Sequence, residues 1–542
     1  MSLALRRPAP VPAAPSRLTA IGLAQAGAAG AVAVLSIVRF LVAPLDRCDE
    51  GVTLTKAFLT GIGQVPFRDY WITYGPLDPY LLAGAFQLAG TTVVVERLLG
   101  ALTFLLLALA GYAIAGRLGL AAGMRLLISG LISIGAVAVP AFNSAFLANL
   151  IGVAALLVFF ISLERGDWRW PLLAGAGVGL ASFARPEFAL ALGTGISGGY
   201  LALGLRRSTL VRLLPFVGGG AAVAGSLWGL IVWQAGPGPV WFDIFVHALQ
   251  IYPRSRSIPL GQGHEGAMVV VLSLAFVLVW TWAAWHLFRR RFDPADRARV
   301  IALMLTGLLL FTWVRVRADG AHALGVWPSV AILLALLLAH RRHADRPAPA
   351  GLDPAVSIAG MLLFALAAGG LVARDLSLPS DAAPVARAGV SGARAWMPAS
   401  QLAALIRTID AQSPPGRPIW VGLQRNDLVT FNDTMLYFLS ARTPGTTYYE
   451  SLPGLTTSDA VQQTIICQLE TAGVTLAVLG PNTPGEPWNL SSVAGSGRLD
   501  RWLESRAISR EQLGPYQLVR LRPVPGSAAT CPSSDAFAPA PG

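Results

Sequence analysis

Two adjacent carboxylates, Asp49 and Glu50, stand where the chain's first long apolar run gives out, in the stretch RCDEGVTLTKAFLTGIGQVPFRDYWITYGPLDPY. The same stretch supplies Arg68 and Asp69. Four further polar groups follow. ARPEFA carries Arg185 and Glu187, and FDIFVHALQIYPRSRS carries Asp243, His247, Tyr252, Arg254 and Arg256. WVRVRADGAHAL carries Arg315, Arg317, Asp319 and His322, and LQRNDLVTFNDTMLYFLSAR lies nearer the C-terminus. Carboxylates at one end of a site and arginines at the other suit transfer from a phosphate. An arginine fork binds phosphate through two parallel hydrogen bonds, and a histidine such as His322 can donate another. A carboxylate within reach deprotonates an acceptor hydroxyl as the phosphate leaves. The arginines stabilise the charge that collects on that leaving group.

Each group also has a plain reading. Arginines at helix ends snorkel to lipid headgroups, and an acid beside an arginine is commonly a surface pair of little energetic weight. The functional reading gains from their gathering on one face, because ionisable residues near membrane depth are costly and are by default candidates for function.

The elements that must position these residues are membrane spans. Apolar residues make up 54% of the 542 and charged residues 13%, with a mean hydropathy of +0.58. Soluble domains carry about 25% charge, so the composition is that of an integral membrane protein. The net charge of +12 does not mark a nucleic-acid binder. Lys56 is the only lysine, and the arginines fall in short clusters between apolar runs rather than along a basic face interleaved with aromatics. Three cysteines without a C-x-x-C spacing exclude a zinc or redox framework. Cys467 and Cys531 can pair if the C-terminal region is exported, leaving Cys48 over; the alternative is three free thiols.

A span needs about 20 mainly apolar residues. Eleven runs qualify, at roughly 18–44, 98–116, 126–142, 146–163, 170–185, 188–205, 213–234, 266–288, 300–315, 323–340 and 351–373, the fifth and ninth being short. Arg6, Arg7 and Arg17 precede the first, whose apolar core is too long for a cleaved signal peptide. With a cytoplasmic N-terminal tail over 1–17, the loops carrying Arg206, Arg207, Arg289, Arg290, Arg291, Arg341 and Arg342 also fall inside, and the acid-rich loops fall outside. The positive-inside rule therefore favours N-in, C-out. This puts the transmembrane domain at 18–375, with a first outer loop over 45–97.

After residue 375 the pattern changes. SQLAALIRTID reads as a helix capped by Ser400, and TSDAVQQTIICQLETAG as a helix capped by Ser458 and stopped by Gly473. A further helix lies near 497–507, and PIWVGL, VTLAVLG and YQLVRLR read as strands. The alternation predicts a small extracytoplasmic α/β domain over 376–525, followed by a disordered tail over 526–542. No G-x-G-x-x-G or P-loop follows any of these strands, so a phosphate-bearing ligand is expected from the bilayer, as a lipid phosphate.

The stretch DEGVTLTKAFLTGIGQVPFRDYW…GPLDPYLLAGAFQLAG with ERLLGALTFLLLALAGYAIAGRLG resembles the first outer loop and second helix of GT-C glycosyltransferases, including the protein O-mannosyltransferase and lipid A aminoarabinose transferase relatives. RVRADGAHAL resembles an R-x-D-x-x-H element of bacterial members. The resemblance covers about 45–117 and 313–340 together with the multi-span layout. It implies a GT-C fold with membrane-lying helices in the first loop, a polyprenyl-phosphate sugar donor, and transfer with inversion to an acceptor hydroxyl on a glycan, lipid or protein. It implies that Asp49 matches the family's catalytic acid, with Glu50 as its neighbour; Glu50 and Asp69 are expected to position Asp49. Arg68, Arg185, Glu187, His247, Tyr252, Arg254, Arg315, Arg317, Asp319 and His322 are then expected around substrate and phosphate. Some superfamily members hold a divalent cation with first-loop acids; with no His or Cys cluster to support one, no obligatory metal or other cofactor is expected.

A transporter or flippase is the alternative reading, as is a non-catalytic component of envelope-glycan assembly. Transporters commonly show two matching halves with broken helices. No second copy of DEG…FRD occurs in the later half, and the acids collect on one side.

Overall fold

The structure, a computed structural model, describes residues 20–344, 352–378, 387, 396–523 and 531. The N-terminal tail and most of the expected disordered tail lie outside the described residues.

All eleven apolar runs are helices. Eight are long and apolar enough to cross a membrane. They are α1 (Ala20–Val42), α4 (Val93–Arg117), α6 (Ser144–Glu164), α9 (Arg207–Ala235), α12 (Gly266–Phe288), α13 (Pro294–Val316), α14 (Gly320–Ala344) and α15 (Leu352–Ser377). The other three are shorter: α5 (Ala122–Ala138), α7 (Arg169–Ala184) and α8 (Pro186–Leu201). The ninth run is longer than its apolar stretch suggests. Asp293 Oδ1 accepts from Asp296 N at 2.8 Å, which starts α13 at Pro294 with charged residues in its first turns. α14 is the most enclosed span, with 78% of its apolar window buried. Its neighbours include α5, α12 and α13.

Between α1 and α4 lie two helices too short to count as spans, α2 (Asp49–Gly61) and α3 (Leu77–Ala89). The loop between α9 and α12 forms α10 (Pro237–Trp241), a π-helical stretch over Phe242–Ile251, and α11 (Tyr252–Arg256).

The C-terminal region supplies α16 (Ala399–Gln412), β1 (Trp420–Leu423), α17 (Met435–Ser440), α18 (Asp459–Thr471), β2 (Leu476–Gly480), α19 (Arg498–Arg506), β3 (Ala507–Leu513) and β4 (Tyr516–Leu521). The sheet order is β1-β2-β4-β3, with β1 parallel to β2 and the other pairs antiparallel. Ser458 Oγ accepts from Val461 N, and Gly473 adopts φ +64°, so α18 starts and stops at the expected residues. The structure also pairs Cys467 with Cys531.

One buried apolar cluster joins the first loop to this region, with Leu54, Phe58 and Tyr70 packed among Met435, Phe438 and Tyr449. Polar ties reinforce it: Thr55 Oγ1 donates to Thr434 O at 2.9 Å, and Trp71 N donates to Thr447 O at 2.9 Å. Gly51 lies against Met435 and Thr434, where a Cβ would meet Met435 N at 2.9 Å, so only glycine lets α2 approach α17 this closely.

Candidate active site

A cavity of about 330 Å³ opens where α2, the α7–α8 junction, the α13–α14 junction, α11 and two C-terminal loops meet. Of the residues singled out from sequence, Asp49, Arg185, Tyr252, Arg256, Arg317, Asp319 and His322 line it.

Asp49 is placed by the start of α2. Asp46 accepts from Cys48 N at 2.9 Å and Asp49 N at 3.1 Å, while Glu50 Oε2 accepts from Asp46 N at 2.8 Å. This reciprocal cap satisfies the first amides of the helix and leaves the Asp49 side chain exposed to the cavity. The Cys48 Sγ at 3.8 Å is its hydrogen-bonding neighbour among the described residues. Protein packed around Asp46, together with the Asp49 charge, pushes the Asp46 carboxyl up to about 6 despite its two amide donors.

Arg185 is placed by a helix break. The residue before a proline is driven out of the α region, and Arg185 before Pro186 is extended at φ −149°, ψ 102°, ending α7 and opening α8. Its guanidinium carbon lies 3.5 Å from the Tyr74 ring centroid and 4.7 Å from that of Trp313. Nε lies 3.3 Å from Glu187 Oε1, and Nη1, although buried, has no hydrogen-bond partner. Tyr74 is held there by the neighbouring Gly75, whose Cα fits against the Phe183–Ala184 backbone with no room for a side chain.

At the α13–α14 junction Arg317 is extended, and Val316 and Ala318 bond to Ile258 through N–H···O contacts of 3.2 and 3.0 Å. Asp319 Oδ1 accepts from His322 N at 3.0 Å and contacts His322 Nδ1 at 2.6 Å. With Nδ1 fixed on Asp319, His322 Nε2 remains buried and unpaired in a residue that lines the cavity. Burial works against the Asp319 carboxylate, but the hydrogen bonds and charges of His322 and Arg317 outweigh it and hold Asp319 well below the usual carboxylate range. Arg317 itself is fully engaged, with Asp319 at 2.7 Å, Arg256 O at 2.6 Å and both Glu486 oxygens at 3.1 Å.

The remaining candidates lie elsewhere. Glu50 is buried away from the cavity in a pair with Arg97, which donates to it at 2.8 and 3.1 Å and also to Ala43 O and Pro44 O. Asp69 closes a tight loop by accepting from Val65 N at 2.7 Å, and Arg68 pairs with it at 2.8 Å on the exposed side. Glu187 touches the site only through Arg185. His247 sits behind the lining, its ring edge-on to Trp71 with centroids 4.9 Å apart, and burial pushes it down to about 4. Arg254 and Arg315 are exposed and do not line this cavity.

Four acidic or basic lining residues were absent from the set chosen from sequence: Asp46, Lys56, Glu450 and Glu486. Lys56, seven residues after Asp49, falls on the same face two turns along α2, a signal the sequence did hold. Its Nζ donates to the buried Asp78 at 3.0 Å. Burial pushes Glu450 up to about 7 against the opposing charges of Lys56 and Arg256. Among the described residues no three His, Cys, Asp or Glu side chains are grouped as metal ligands.

The fold is that of the GT-C glycosyltransferases. Over 92% of this chain and 98% of its own length, ArnT from Cupriavidus metallidurans superimposes with a TM-score of 0.59 at 15% identity, both bound to undecaprenyl phosphate and in the apo state. The arabinofuranosyltransferase AftD from mycobacteria matches 93% of this chain and 40% of its own, with a TM-score of 0.50 at 15% identity. Comparison with protein-family models and with curated protein sequences returns no match.

Proposed function

We propose that this protein is a membrane glycosyltransferase that moves a sugar from a polyprenyl-phosphate donor to an acceptor hydroxyl on the extracytoplasmic side of the cell membrane. The observation that carries the reading is a shared lining: the exposed Asp49 carboxylate opens into the same cavity as Arg185, Arg256 and His322. The fold held in common with an undecaprenyl-phosphate-bound ArnT supports a lipid phosphate as donor. The arginine-rich loops support a cytoplasmic N-terminus and an outward C-terminal domain.

In this reading Asp49 accepts the proton of the acceptor hydroxyl. The acceptor oxygen forms a bond to the anomeric carbon from the side opposite the phosphate. The bond from that carbon to the phosphate oxygen breaks, its electron pair leaves with the polyprenyl phosphate, and the anomeric centre inverts. Arg185, Arg256 and His322 face the phosphate, and their preset charges and donors stabilise it as it departs. Arg317 and Asp319 act behind them: Asp319 fixes the His322 ring, and Arg317 ties that junction to the C-terminal domain.

The test compares extracted glycans and lipid-linked sugars from cells carrying wild type, Asp49→Asn or a deletion. The expected result is a sugar present only with wild type and a polyprenyl-phosphate sugar accumulating in both mutants. The asparagine variant should retain normal insertion and lose about 100- to 10,000-fold in transfer rate, the scale of a positioned general base. An Asp49→Asn strain indistinguishable from wild type, beside a deficient deletion strain, overturns Asp49 as base and favours a transport or assembly role.

A further inference from the structure

We propose that Glu450, carried by the C-terminal domain, reads neighbouring hydroxyls of a sugar in the cavity, with Lys56 of the first loop as its cationic counterpart. This rests on the glycosyltransferase reading above.

Glu450 belongs to the loop TTYYESLPG, and it lines the cavity together with Asp49, Lys56 and Arg256. Among the described residues its carboxyl takes part in no hydrogen bond, although the loop that carries it is closely tied. Asn432 grips both neighbours of Glu450: its Oδ1 accepts from Ser451 N at 2.7 Å, and its Nδ2 donates to Tyr449 O at 2.8 Å and Val421 O at 2.7 Å. Beyond Ser451, Thr456 Oγ1 accepts from Leu452 N at 3.0 Å and Thr457 Oγ1 from Gly454 N at 3.0 Å. The Tyr449 ring packs edge-on to Tyr70 of the first loop, with centroids 6.1 Å apart. A carboxyl group on a loop held this firmly, itself hydrogen-bonded to nothing among the described residues, is set for a ligand.

Lys56 is held equally firmly. One donor goes to Asp78, and the helix is anchored at the preceding Thr55. An ammonium has three donors and no acceptor, and a carboxylate has acceptors only. Together they match a pair of adjacent hydroxyls, one donating to Glu450 and the other accepting from Lys56. The site already has its phosphate-facing groups in Arg185 Nη1 and His322 Nε2, both buried and unpaired. Glu450 and Lys56 add the complementary half, a reader for the neutral sugar. The hydroxyls can belong to the transferred sugar or to an acceptor glycan, since the chemistry is the same.

The experiment uses the full chain in detergent and measures binding of undecaprenyl phosphate and of a panel of undecaprenyl-phosphate-linked hexoses and pentoses. The proteins are wild type, Glu450→Gln and Glu450→Asp. Wild type should bind one sugar-linked lipid more tightly than undecaprenyl phosphate. Glu450→Gln should lose at least about tenfold of that preference, the scale of a hydrogen bond to a charged group, while keeping its affinity for undecaprenyl phosphate as proof of fold. Glu450→Asp should recover part of it.

If donor binding is unchanged in Glu450→Gln but KM for acceptor glycan rises about tenfold, Glu450 reads the acceptor sugar, and the proposal holds in that form. Unchanged donor preference together with unchanged acceptor KM overturns it while leaving the transferase reading intact. Failure of wild type to bind any of these lipids removes the transferase reading, and the proposal with it.

Discussion

The two ends of the helical bundle both gather charge, and both enclose a cavity, yet they use their charges differently. At the end away from the C-terminal domain, a cavity of about 450 Å³ is lined by Arg117, Arg291, Asp293, Asp296, Arg299 and His340. Its acids are all engaged. Glu164, beside the lining, has one oxygen 2.7 Å from Arg117 and the other 2.8 Å from Arg299; Asp296 bonds Arg299 at 2.8 Å, and Asp293 caps α13. At the other end, in a smaller space, Asp49 is open, and among the described residues Glu450 is without a hydrogen bond and Arg185 Nη1 and His322 Nε2 have no partner. Cavity size does not separate a working site from a charged rim here. Unpaired buried nitrogens occur at both ends, Arg299 Nε among them; what differs is that Asp49 and Glu450 stand open here, while the acids of the far cavity are bonded.

The comparison makes a sharper distinction within the cavity end itself, between groups already paired and groups left open. Glu50 is the strongest case of the first kind. Glu50→Gln leaves Arg97 buried without its counter-ion, and the expected loss is roughly 3–5 kcal/mol of stability. The corresponding experiment is thermal unfolding of the purified protein. A variant of unchanged stability but absent transfer would move Glu50 into the chemistry and weaken the rule. Arg185 is the opposite case. Arg185→Gln should lower kcat/KM on the order of 100-fold, as for removal of one preset donor to a developing oxyanion, and should lower affinity for undecaprenyl phosphate. If the lipid is bound as by wild type, the unpaired Nη1 is not a phosphate donor.

Much of this architecture is legible in the sequence, and the illegible part has a physical pattern. Apolar runs specify the helices because a bilayer demands them, and the Arg185–Pro186 break is readable because proline restricts its predecessor. The edge strand β3 escaped notice, since AISREQL is mostly exposed and polar and offers no alternating pattern. Its partner β4, buried on both faces at Leu518 and Val519, did not. The site divides in the same way. Asp49, Arg185 and His322 are visible as charges at helix ends. Glu50 looks identical to Asp49 in the sequence, because the arginine that occupies it lies 47 residues later. Glu450 carries no local mark at all; its place depends on a C-terminal loop folding back onto α2, a contact no local pattern encodes.

The smallest expected effect belongs to the far end of the bundle, and it tests the rule from the other direction. Glu164 is about one-third exposed and bonded to two arginines, of which Arg299 also bonds Asp296. Solvent screens such pairs, and they contribute little individually. Glu164→Gln should therefore change stability by less than about 1 kcal/mol and leave sugar transfer at the wild-type rate, measured on the same membranes used for Asp49→Asn. A large loss of transfer with normal insertion would mean that the arginine-lined cavity at that end takes part in the reaction cycle. In that event pairing in the resting structure would cease to separate structural charges from working ones, and the assignment of Glu50 and Arg317 to supporting roles would have to be argued again from the chemistry alone.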